Sequence, residues 1–103
     1  MTPAEPTITL NSARNRFELL VDNKLLLVEY TQPDEHTLAL THTEVHPDLE
    51  GQGVGSNLVK QVLAYAGQHK QKIVPLCPFI ALYIRRHPEW QHLVSTDYLA
   101  SDF

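Results

Sequence analysis

Cysteine is nearly missing from this chain. The single Cys77 among 103 residues cannot close an internal disulfide, so the fold must rest on its core, and a reducing, cytoplasmic setting is expected. Cations are scarce as well. Eight Lys and Arg against twelve Asp and Glu leave a formal net charge of −4. That balance excludes a general polyanion-binding surface, so nucleic acid is not an expected partner. Long apolar runs are absent too: "KLLLVEY" and "CPFIALYI" fall well short of the roughly 20 residues that cross a bilayer, so no membrane partner is expected. The opening "MTPAEPTITLN" has neither the basic nor the apolar region of a signal peptide. Glycine is the most telling shortage. There are four in all, yet Gly51, Gly53 and Gly55 fall within "EGQGVGS".

What is present reads as one folded domain over residues 1–103, with 43% apolar and 19% charged residues. Residues 1–7, with Pro3 and Pro6, form a loose lead-in, and "ITL" suits a short edge strand. Two β-prone stretches, 16–21 and 24–30, flank Asp22-Asn23, a pair that tolerates the positive φ of a tight hairpin. After the polar break "TQPDEH", residues 37–45 alternate as a strand. Strict alternation puts Leu38, Leu40, His42 and Glu44 on one face, and Thr37, Ala39, Thr41, Thr43 and Val45 on the other. From Val54 to Ala66 apolar residues recur at helical spacing, until Gly67 and "QHKQK" suggest a stop. "KIVPLC" reads as a short buried strand whose Pro75 marks an edge, a bulge or a splay. Pro78 opens a second helix, "PFIALYIRRH", which Pro88 ends. Residues 89–94 fit another helical turn and 95–103 a tail.

A strand that feeds a helix through glycines exposes backbone N–H groups at the positive end of the helix dipole, with no Cβ atoms in the way. Phosphate is the natural guest. The nucleotide fingerprints G-x-G-x-x-G and G-x-x-x-x-G-K-[ST] are not matched by "GQGVGS". The plainer alternative is a tight strand-to-helix turn with Ser56 capping or packing.

"VHPDLEGQGVG" followed by an amphipathic helix resembles the acetyl-CoA-binding motif of the GNAT superfamily of N-acetyltransferases, [QR]-x-x-G-x-[GA]. Its positions here are Glu50, Gly51, Gln52, Gly53, Val54 and Gly55, with Glu50 where Gln or Arg is usual. Downstream, "FIALYIRRHPEW" places Tyr83 where the superfamily carries a tyrosine that protonates the leaving CoA thiolate. The two motifs together resemble the small single-domain branch, close to this chain's own 103 residues. The resemblance implies an α/β (α+β) fold: a mixed, mostly antiparallel sheet with a central strand, glycine loop and helix unit and a C-terminal helix. It also implies acetyl-CoA as co-substrate and an amine acceptor. The segment before the long strands is too short for the superfamily's usual pair of N-terminal helices, which leaves the acceptor side open. "LCP" stands where larger members often have an asparagine, and the resemblance ties Cys77 to catalysis.

Acetyl transfer needs a neutral amine, polarisation of the thioester carbonyl and a proton for the departing thiolate. The backbone N–H around Val45 suits the carbonyl if the strand splays there, as in the superfamily. Glu44 or His42 suits the amine proton, and Tyr83 the sulfur. Cys77, at a helix N-terminus, offers a second route through an acetyl-cysteine; otherwise it is a small buried hydrophobe. Tyr83 is alternatively a core aromatic. Arg85 and Arg86 either touch CoA phosphates or complement the helix dipole. His42, Glu44 and His46 also spell H-x-E-x-H, but same-face neighbours lie about 7 Å apart along a strand, so no metal is expected. The expected function is acetyl transfer to an amine of a small molecule or protein. The alternative is an acyl-CoA-binding module with little turnover. Acceptor and oligomeric state are not legible.

Overall fold

The computed structural model describes residues 7–95. Apart from Thr7 and Ser95, the expected lead-in (1–7) and tail (95–103) lie outside the described residues. Five strands, β1 (Thr9–Asn11), β2 (Arg16–Val21), β3 (Lys24–Asp34), β4 (Thr37–Glu44) and β5 (Lys72–Pro75), form one sheet in the order β1-β2-β3-β4-β5. The first four pair antiparallel, and β5 joins β4 in parallel. A parallel neighbour requires a crossover, and helix α1 (Val54–Gln68) supplies it; α2 (Pro78–Arg86) follows β5. This is the mixed, mostly antiparallel α/β arrangement expected.

Local chemistry explains the turns. Asp22 and Asn23 take φ of 51° and 64°, which closes a two-residue hairpin with Val21 opposite Lys24. The break expected across "TQPDEH" is confined to Glu35 and His36, because β3 continues to Asp34. The Asp34 carboxylate fixes this turn, accepting from the His36 N–H at 2.8 Å and the Thr37 hydroxyl at 3.1 Å. These two bonds hold its carboxyl below the usual aspartate range. Pro33 is tolerated inside β3 because the ladder register is interrupted between Thr31 and Asp34.

One irregularity decides where the ionisable residues go. Glu29 lies opposite His42 while Tyr30 lies opposite Leu40, so Thr41 is an extra residue in β4. Such a bulge shifts the alternation by one. Strict alternation therefore fails beyond Leu40. Thr43 and Val45 continue the helix-side face of Leu38 and Leu40, and His42 and Glu44 turn to the outer face beside Glu29.

The core forms between the helix-side face and the helices. Phe17, Leu19, Leu26, Val28, Leu38, Leu40 and Ile73 meet Leu58, Val59, Val62, Leu63 and Ala66 of α1, and Ile80 and Ile84 of α2. The α1 residues recur at helical spacing, so one stripe buries them all. Pro75 ends β5, and the last β4–β5 pair is Leu40 with Pro75. The Cys77 N–H still donates to the Leu40 carbonyl at 3.0 Å; beyond that bond the two strands part. Residues 88–93 form a 3-10 turn, and Val94 adds a single parallel bridge to Ile73.

Candidate functional site

The parting of β4 and β5 leaves a cleft of about 520 Å³ on the helix side, within the range of small-molecule sites. The end of β4 supplies Thr43 and Val45, the loop before α1 supplies Leu49, Glu50, Gly51 and Gly53, the first turn of α1 supplies Gly55 and Ser56, and α2 supplies Phe79. Leu49 is buried and anchors the loop in the core. Its 3-10 turn is capped by His46, whose Nδ1 accepts from the Asp48 N–H at 3.1 Å. The Gln52 side chain donates to the Asp48 carbonyl at 3.0 Å and closes the loop from outside.

The three glycines are needed for two different reasons. Gly51 and Gly53 have φ of +81° and +79° and open space where a Cβ would stand, so backbone conformation selects them. Gly55 has ordinary φ, but a Cβ there would meet the Phe79 ring at 3.1 Å and a Val45 methyl at 3.2 Å. Close approach of strand, helix and ring selects it. Gly53 is the N-cap of α1 with no side-chain cap, and the Asn57 N–H makes the first helical bond, to the Gly53 carbonyl at 3.1 Å. The N–H groups of Val54, Gly55 and Ser56 thus have no carbonyl four residues back within the helix, and the dipole makes this end positive. Glu50 alone among the described lining residues carries charge, so an anion here would be held by backbone donors.

The residues singled out in the sequence separate into three places. At the cleft are Val45, Glu50, Gly51, Gly53, Gly55 and Ser56; Gln52 and Val54 flank it, the latter packed on the core. Cys77 stands just behind, 6% exposed, with its Sγ 3.4 Å from the Thr43 hydroxyl oxygen. On the outer face, His42 Nε2 lies 3.6 Å from Glu44 Oε2, and the ligand-capable atoms of Glu29, His42 and Glu44 fall within 4.8 Å of one another. His46, the third member of the H-x-E-x-H pattern, serves the loop cap instead.

Along α2, Tyr83 follows Phe79 by one turn but is not a lining residue. Its ring stacks on His87 with centroids 4.1 Å apart, and burial, with the Glu89 charge in support, pushes the phenol above its ordinary range; a hydrogen bond with Trp90 opposes this more weakly. Arg85 and Arg86 sit in the last turn of α2, where they complement the dipole, and do not line the cleft. Thr43, Leu49 and Phe79 were missed by sequence reasoning. Phe79 was accessible to it as the residue after the helix-opening Pro78; Thr43 required knowledge of the bulge.

A family description for GCN5-related N-acetyltransferases matches residues 16–93, most of the chain. Among solved structures, a GCN5-like protein from Staphylococcus aureus determined by NMR is 29% identical, with a TM-score of 0.67 over 85% of this chain and 86% of that one. No curated protein matches the chain in sequence. With the fold, the glycine loop and the family match in agreement, the chain belongs to the GCN5-related N-acetyltransferase family.

Proposed function

We propose that this chain binds acetyl-CoA in the cleft beside its glycine loop and transfers the acetyl group to an amine. The observation that carries the reading is the first turn of α1. Unpaired N–H groups at a dipole N-terminus face a cleft in which two glycines hold φ that other residues rarely adopt. The diphosphate of CoA matches such a cradle, and Glu50, an acid in a place otherwise suited to an anion, leaves its binding to the backbone. Val45 and Thr43 then receive the acyl end, where the strands part.

The amine arrives from the outer face in this reading. Beyond the Leu40–Pro75 pair β4 and β5 no longer pair, and the Cys77 side chain lies against Thr43 there. Glu44, supported by His42, takes the proton that the amine must lose. The cluster with Glu29 is acidic, which favours an amine that arrives as a cation and is neutralised there. A binding module without turnover would have no use for a base on that face.

The test is a panel of amines (polyamines, amino acids, aminoglycosides and lysine peptides) incubated with acetyl-CoA while released CoA thiol is followed. Acceptor-dependent release supports the reading. Release no faster than in the absence of protein, across the whole panel, contradicts it.

A further inference from the structure

One hydroxyl of the cleft lining has a partner outside the cleft. Thr43 lines the cleft on the last turn-free stretch of β4, and its Oγ1 accepts a hydrogen bond from the Cys77 thiol at 3.4 Å. A hydroxyl carries one donor and two acceptor positions. With the S–H occupying an acceptor position, the Thr43 O–H keeps its own donor capacity beside the cleft. Tyr83, the sequence's candidate acid, packs on His87 one turn beyond the lining residues. Cys77 itself is buried behind Thr43.

We infer that Thr43 is a catalytic residue: it hands a proton from its Oγ1 to the departing sulfur and is refilled from the Cys77 thiol behind it. This rests on the acetyl-transfer reading above. The balance is closed. The amine nitrogen forms a bond to the acyl carbon, the carbon–sulfur bond breaks and its electron pair goes to sulfur. Sulfur takes the Thr43 proton, Thr43 takes the Cys77 proton, and the proton lost by the amine returns through Glu44 and solvent to Cys77. Nothing is oxidised or reduced. The buried thiol thereby serves as a proton store, and the bulge at Thr41 is what brings residue 43 to the cleft side.

Two experiments test this, the first on the protein alone. Cys77 is the only cysteine, so the protein has a single S–H stretching band in the infrared. The band should lie at lower frequency in the wild type than in Thr43→Val, and Thr43→Ser should restore the wild-type position. Equal frequencies in all three would overturn the Cys77–Thr43 contact whatever the protein binds. The second is steady-state transfer to the best amine of the panel. Thr43→Val, with its melting temperature measured as a control for folding, should lose about 10²-fold in kcat with KM for acetyl-CoA unchanged, and Thr43→Ser should recover most of it. An undiminished kcat in a folded Thr43→Val would overturn the relay while leaving acetyl-CoA binding intact; failure of the wild type to bind acetyl-CoA would instead sink the reading beneath it.

Discussion

The two faces of the sheet differ residue by residue. Leu19 is 1% exposed and its neighbour Leu20 is 62% exposed, because alternate side chains of β2 meet the helices or the outer face. Across β4 the same division separates chemistry as well as packing. Thr43 and Val45 look into the cleft, whereas His42 and Glu44 gather with Glu29 on the outside. The lesson is that the proposed donor and acceptor sides are not two pockets but two faces of one strand.

This comparison breaks most visibly through the proposed base, Glu44. Glu44→Gln keeps the shape of the outer face and removes the proposed proton acceptor. Transfer should fall by about 10²–10⁴-fold in kcat, with acetyl-CoA affinity unchanged in a direct binding measurement. If affinity falls as well, the faces are not separate.

Stability separates the faces next. Leu19→Ala should cost about 2–5 kcal/mol in denaturant unfolding, since it empties a fully packed position. Leu20→Ala should stay within about 0.5 kcal/mol, since no helix of the described residues covers that side.

The smallest expected effect sharpens the donor side. Glu50 places a negative charge beside the helix N-terminus, which helps the free helix but opposes an anionic ligand. Glu50→Gln should tighten acetyl-CoA by about 0.3–1 kcal/mol, and the gain should shrink as salt is raised.

Much of this was legible from residue order. The Asp22-Asn23 hairpin, the α1 stripe, Pro75 at the splay and the glycine loop all depend on local chemistry: φ preference, periodicity or a missing N–H. Pro33 misled, because a proline inside a strand is tolerable only where the ladder is already interrupted, and that interruption depends on the partner strand. The faces of β4 misled for the same reason. Nothing in "TLALTHTEV" marks Thr41 as an extra residue; only its register against β3 does. Distance also escaped. Tyr83 and Arg85 belong to the right helix, but which turn of α2 reaches the cleft is set by where β5 ends.

The central claim is that the glycine loop holds acetyl-CoA through its backbone, and calorimetric titration tests it most directly. The wild type should bind acetyl-CoA. Gly53→Val, which forces a β-branched residue into φ of +79° at about 1–3 kcal/mol of strain, should lose binding while Leu20→Ala retains it. No heat of binding in the wild type up to millimolar acetyl-CoA, or equal affinity in Gly53→Val, would contradict the account.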